Sequence, residues 1–363
     1  MTAEIVIMNK RGVAASADSA ATVGNKTFNG ANKLFQLIKN KPVGVLVFNN
    51  SEVNGIPVDL IIKEYGSTRQ NKKLDSLKDY VEDFKTFLKK FVKQHMGDWD
   101  PLLGAFDDFL IVSNRLTELN LLRETLLTNR NIINIRHTKD LKTKIKKYLE
   151  LRKAYLPQTA DFSNLNIDEI VDVFLLFVNR CDFSPAMTGF AIFGYGDKDI
   201  YPKTYVFHSV GFINDKVFKF FSEEAHETDQ DIIQLAQRDM SDMFIFGLPY
   251  HLKRSITKIY NDVIAKLFIS IGGNTPEVKS IVENALANCA KEVDKNITGN
   301  RLNNLQQSLP HLPLEDLSNL SATLIRLECL KNRASLDMES VGGEVKTAII
   351  SKHEGFRWKN DKK

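Results

Sequence analysis

The chain begins with an apolar run. Residues 3–8 (Ala-Glu-Ile-Val-Ile-Met) predict a strand that starts almost at the N-terminus. Asn9-Lys10-Arg11-Gly12 reads as a tight turn. Val13 to Ser19 reads as the returning strand, small and apolar enough to be buried. A polar loop around Gly24-Asn25 follows. Lys33 to Leu37 and Val43 to Phe48 predict the next strand pair, joined at Lys39-Asn40-Lys41-Pro42. Asn49 to Gly55 is loop-like, and Val58 to Tyr65 has helical spacing.

From about residue 67 to 160 the period becomes helical. Leu74, Leu77, Tyr80, Val81, Phe84, Phe87, Leu88 and Phe91 recur at helical intervals. Leu116, Leu119, Leu122 and Leu126 continue this, as do Leu141, Ile145, Tyr148 and Leu149. Asp168 to Asn179 predicts a further apolar helix. Residues 187–222 return to strand character, in four pieces: Gly189–Gly194, Thr204–His208, Val210–Asn214 and Val217–Phe221. Asp229 to Phe246 predicts one helix through Ile232, Leu235, Ala236, Met240, Met243 and Phe244. Helical stretches are expected near 250–271, 276–295 and Leu314–Leu336. Val345–Ser351 and Phe356–Trp358 predict a closing hairpin.

Strands, helices, strands, helices and strands in that order indicate an α+β class rather than an alternating α/β sheet. Two antiparallel sheets between helix layers accommodate the order, as do other α+β folds. The expected division is a core over 1–66, 161–249 and 314–363, interrupted by a helical insertion at 67–160 and additional helices at 250–313.

Composition narrows the function classes. The surplus of 49 basic over 45 acidic residues is too small to argue for nucleic acid. The lysines between 139 and 147 read as a solvated helix face. Cys181, Cys289 and Cys329 are far apart and in no metal spacing, so neither disulfides nor a metal site is expected, and a reducing cytoplasm fits. The first twenty residues hold Glu4, Lys10, Arg11 and Asp18 and therefore no apolar signal core. Apolar runs such as Val171–Val178 are far too short to span a membrane. Gly194-Tyr195-Gly196-Asp197 is glycine-rich but leads into a turn and a strand, whereas a phosphate loop leads into a helix. No cofactor is expected.

The residues that suggest chemistry lie near the start. A hydroxyl is a poor nucleophile without a base beside it. A free α-amine has a pKa of about 7.7–8.0, close to neutral pH. A threonine at a mature N-terminus carries both groups, and removal of Met1 would make Thr2 such a residue. Asp18 ends the second strand and Lys33 begins the third. If these strands are neighbours, both side chains can meet Thr2 at one end of a sheet. The loop at Asn49-Asn50-Ser51 would offer backbone N–H groups to an oxyanion.

Thr2-Ala3-Glu4-Ile5-Val6-Ile7, Ala15-Ser16-Ala17-Asp18-Ser19 and Lys33-Leu34-Phe35 resemble proteasome β-subunits and the peptidase of the bacterial two-component heat-shock protease. Gly194-Tyr195-Gly196 and Val341-Gly342-Gly343-Glu344-Val345 resemble that fold's later sheet. The resemblance implies a four-layer αββα sandwich of the N-terminal-nucleophile hydrolase type. It implies a threonine peptidase with Thr2 as nucleophile, its amine as base, Asp18 and Lys33 in support, and Asn49 at the oxyanion turn. It also implies a polypeptide substrate, homo-oligomeric rings and an ATPase or other protein partner. Two features depart from the pattern. The oxyanion turn reads Phe48-Asn49-Asn50 where glycine is usual, and Asp337 and Ser340 sit about one residue out of register with the family's late aspartate and serine. A catalytically inactive scaffold or regulatory protein of the same fold is the alternative.

Overall fold

The computed structural model describes residues 2–23, 26–98, 100–116, 139–152, 167–179, 187–214, 217–249, 300–336 and 340–359, with scattered positions between 251 and 299. In chain order, β1 (Ala3–Asn9), β2 (Gly12–Ala17), β3 (Ala20–Val23), β4 (Lys26–Asn29), β5 (Leu34–Gln36) and β6 (Val43–Asn49) come first. The two-residue strands β7 (Glu52–Val53) and β8 (Ile56–Pro57) lead into α1 (Val58–Thr68), α2 (Leu77–His95), α3 (Pro101–Leu116), α4 (Lys139–Arg152) and α5 (Ile167–Asn179). Next come β9 (Thr188–Gly194), β10 (Lys203–Phe212), β11 (Phe218–His226), β12 (Asp231–Ala236) and α6 (Asp239–Phe246). The described chain closes with α7 (Asn300–Ser308), α8 (Leu314–Ala334), β13 (Lys346–Ser351) and β14 (Gly355–Trp358). The class is α+β. None of the described helices is long and apolar enough to cross a membrane.

The chain divides into two compact units. The first comprises 1–34, 200–203 and 227–363. Its sheet has the order β12-β1-β2-β13-β14, antiparallel at every pairing. β1 and β2 are buried along their whole length, so their near-continuous apolar runs have cover on both faces. α8 packs on this sheet and sends Leu317, Leu324 and Ile325 into a core with Ile5, Ile7 and Ala14. Small residues on β2 let the helix come close. The Ser16 hydroxyl meets those of Ser321 at 2.8 Å and Thr347 at 2.9 Å, so the polar atoms in this contact are paired. Gly12 is needed for the same reason: a Cβ there would lie 2.4 Å from the Ile350 carbonyl oxygen.

The second unit comprises 35–199 and 204–226. Its sheet has the order β11-β10-β9-β6-β5. Val45, Val47, Phe190, Ile192 and Phe207 face α1 and α2, which contribute Ile61, Tyr65, Tyr80, Phe84 and Leu88. α2 starts at a capping box: Ser76 Oγ accepts the Asp79 N–H at 3.2 Å, and the Asp79 carboxylate accepts the Ser76 N–H at 2.9 Å. α3, α4 and α5 build a second cluster in which Phe106, Phe109, Tyr148 and Phe174 pack together.

Three expectations are corrected. Residues 231–236 form a strand, not the start of a helix. Ile233 and Leu235 are buried while Ile232 and Gln234 are half-buried, a period of two. Ala236 at φ +58° then turns the chain before α6 begins. Residues 203–212 are one strand, not two; it passes through register shifts at Val206/His208 and Ser209/Gly211. The polar stretch around residues 20–29 forms the hairpin β3–β4 rather than a loop alone. The leucines at 119–126 and most of the stretches at 250–271 and 276–295 lie outside the described residues.

Candidate active site

Asp18 is the hub of the first unit. It follows β2 directly, and its carboxylate accepts four hydrogen bonds. The Ala3 N–H (3.0 Å) and the Lys33 ammonium (2.5 Å) donate to Oδ1, and the Ala20 N–H (3.1 Å) and Gly342 N–H (3.0 Å) donate to Oδ2. Asp18 is 1% exposed and Lys33 6%, so the ion pair is buried and fully hydrogen-bonded at the carboxylate. The local chain makes this possible. The Ala20 contact is the two-residue reach typical of an Asx turn. Lys33 follows a segment in which the Gly30 and Ala31 N–H groups donate to the Ser19 carbonyl at 3.0 and 2.9 Å. Gly343 has φ +74°, and a Cβ there would come 2.5 Å from Ser19 Oγ, so glycine is required where the chain passes this cluster.

Thr2 lies beside the hub, 8% exposed. Its carbonyl accepts the Gln237 N–H at 2.8 Å, which extends the β1–β12 pairing. Its hydroxyl donates to Glu4 Oε2 at 3.1 Å. A strand places residues i and i+2 on one face, which brings this pair together. Glu4 is 1% exposed, and its other oxygen, Oε1, has no hydrogen-bond partner among the described residues. Burial pushes the Glu4 carboxyl up to about 8; Lys33 pulls it down and Asp18 pushes it up. Glu4 is a functional candidate that the sequence pattern alone does not single out. Its one mark in the sequence is that of a lone acid in an apolar strand, two residues from a candidate nucleophile.

The structure thus brings Thr2, Asp18 and Lys33 into one neighbourhood of the first unit, together with Glu4. Asn49 belongs to the second unit. It ends β6 opposite Thr188 with φ +68°, a backbone that asparagine adopts more readily than most residues. The next two amides are occupied. Asn50 N–H donates to the Met187 carbonyl at 3.2 Å, and Ser51 N–H donates to Asn50 Oδ1 at 2.8 Å. Ser340 is buried, and its N–H donates to Asn332 Oδ1 at 2.8 Å. Asp337 lies outside the described residues. Cys329 feels the charges of Asp18 and Lys33, but burial pushes its thiol up to about 11, so it stays protonated and inert at neutral pH. Among the described residues no group of three or more His, Cys, Asp or Glu side chains could hold a metal ion.

No family model matches the chain, and no curated protein matches it. Among solved structures it is similar to Anbu (ancestral beta-subunit) from Yersinia bercovieri, at 10% identity and a TM-score of 0.30, covering 99% of this chain and 88% of that one. It is also similar to an Anbu (Gly-1) mutant from Hyphomicrobium sp. strain MC1, at 12% identity and a TM-score of 0.32, covering 100% and 86%. Likenesses this weak carry no argument about the chain's function. They do correct one expectation. Membership of the proteasome β-subunit or heat-shock peptidase family is not upheld, because no family model matches and these structural neighbours are Anbu proteins instead. The motifs behind that resemblance are short strand ends, and such runs are too common to define a family.

Proposed function

We propose that this chain is a threonine-type amide hydrolase in which Thr2, once Met1 is removed, supplies both the nucleophile and its base. The observation that carries the reading is the buried Lys33–Asp18 pair, tied to the backbone of Ala3 next to the Thr2 hydroxyl. A buried ammonium beside the free amine would keep part of that amine unprotonated near neutral pH. Asp18 balances the charge and fixes the position of Lys33. A polypeptide is the substrate this chemistry suits. The four-layer sandwich, the cytoplasmic setting, self-association and an ATPase or other protein partner belong to the same proposal. Intact mass together with hydrolysis of a fluorogenic peptide tests it. Loss of Met1 with activity abolished by Thr2→Ala is the expected result; activity that survives Thr2→Ala removes Thr2 from the chemistry.

A second reading, a non-catalytic scaffold, draws on the Asn49 loop, where the Asn50 and Ser51 amides already have partners. It predicts no hydrolysis and no labelling of Thr2 by a threonine-directed electrophile even after Met1 is gone.

A further inference from the structure

Glu4 is costly to bury and forms no ion pair among the described residues. It lies on β1, 1% exposed, where an apolar residue or a threonine would pack without an ionisable group. One carboxyl oxygen accepts from the Thr2 hydroxyl at 3.1 Å, and the other has no partner. Buried polar atoms are nearly always satisfied, so an orphaned carboxyl oxygen beside a candidate nucleophile needs a reason. Asp18, which has four donors, is committed to Lys33 and to backbone. Glu4 is the carboxyl that touches the hydroxyl.

We infer that Glu4 is a catalytic residue that takes the Thr2 hydroxyl proton as Oγ1 attacks an amide carbonyl. The inference rests on the proposed function for Thr2 as nucleophile, and it puts Glu4 in place of the α-amine as the group that takes the hydroxyl proton, so it does not depend on Met1 being removed. As the Oγ1–C bond forms, the Thr2 O–H bond breaks and the proton passes to Glu4 Oε2, while the carbonyl π pair moves onto its oxygen. On collapse the C–N bond breaks, and the proton passes from Glu4 to the leaving nitrogen. Water then attacks the ester; Glu4 takes a water proton and returns it to Thr2 Oγ1, which restores both groups. A base works best when its pKa lies near the working pH, and burial has moved Glu4 into that range. Among the described residues, the charged groups acting on it are Lys33 and Asp18.

The test uses a β-lactone, which esterifies a hydroxyl and needs no free amine. The full chain, Glu4→Gln and Thr2→Ala are labelled from pH 6 to 9, with the site mapped by mass spectrometry and melting temperatures measured alongside. The expected result is an ester on Thr2 of the unaltered chain, forming faster as pH rises through about 8. Glu4→Gln should keep its fold and label about 100-fold more slowly, with that pH dependence reduced. A merely structural Glu4 would let the isosteric amide label at the original rate and with the original profile, which overturns the inference. Should Glu4→Gln fail to fold, Glu4→Asp keeps the acid and draws it back by one methylene. It must also slow labelling, and an unchanged rate there overturns the inference equally. Absence of label on Thr2 in the unaltered chain removes the nucleophile and Glu4 together. Glu4-dependent label on chains that retain Met1 keeps Glu4 and removes only the amine.

Discussion

A carboxyl that keeps its proton in the folded protein and loses it in the unfolded chain ties stability to pH. Glu4 has a pKa of about 8 when folded against an ordinary glutamate value of 4.5. Between those values the unfolded chain releases a proton that the folded chain holds, so stability falls as pH rises from about 4.5 to about 8 and levels off above. At about 1.4 kcal/mol per pH unit the loss has an upper bound of about 5 kcal/mol. Glu4→Gln should remove this slope. Its melting temperature should match the unaltered chain's near pH 5 and exceed it by pH 8; two parallel curves would refute the assignment. Asp18 and Lys33 should respond unequally. Asp18→Ala strands a buried ammonium and three backbone N–H groups, a loss of about 3–5 kcal/mol. Lys33→Met leaves the Asp18 carboxylate hydrogen-bonded by its three backbone N–H donors, so a loss of about 1–3 kcal/mol is expected. Urea midpoints that show the lysine change to be the worse of the two would displace Asp18 as the hub. Thr2, Asp18 and Lys33 could be picked out from residue type and position. Glu4 shows in the sequence only as a lone acid in an apolar strand; its full burial against the Thr2 hydroxyl becomes visible only in the fold.

At the scale of elements, periodicity carried most of the information where a single face or full burial set the pattern. β1, β2, β6, α1, α2, α8 and the β13–β14 hairpin lie within a few residues of their predicted positions. It failed where two short elements shared one register by accident. Ile232, Leu235 and Ala236 fall at helical spacing with Met240, yet the first three belong to a strand edge that pairs with β1. Only the partner strand could reveal this, and it lies more than two hundred residues earlier in the chain. Gly12 shows the reverse case. The sequence marked it as a turn glycine, and its φ is unremarkable. What excludes a side chain is the Ile350 carbonyl oxygen, 2.4 Å from a built Cβ, with Leu314 of α8 also in contact. Gly12→Ala should therefore cost about 1–3 kcal/mol through forced displacement of β13 or α8. A denaturant midpoint unchanged from the parent would mean that this end of the sheet gives way freely.

The whole molecule sets the order in which the site can form. The second unit draws on residues 35–199 and 204–226, so its full complement exists once residue 226 has been made. The first unit must wait. Its sheet joins β2 to β13, with Ser16 and Thr347 331 positions apart, and the carboxylate of Asp18 takes a donor from Gly342, 324 positions on. Closing so long a loop costs only slightly more than closing one half as long, so the delay comes from synthesis rather than from entropy. At about 5–20 residues per second the interval between residues 226 and 351 lasts roughly 6–25 seconds. Until α8, Gly342 and β13 are made late in that interval, β1 and β2 lack them, and Glu4 and Thr2 lack the cover these elements give. Thr2 chemistry should therefore be absent from chains that stop short of these elements, although Thr2, Glu4, Asp18 and Lys33 all precede residue 34. Chains ending before Leu314 lack α8, the Gly342 donor and β13, yet retain every one of these residues and test the point. They should lose β-lactone labelling at Thr2 while the amides of β6 and β9 keep their protection from hydrogen exchange. Labelling of such chains at the full-length rate would show that the hub assembles from β1, β2 and Lys33 alone, and that the distant β13 and β14 serve only stability.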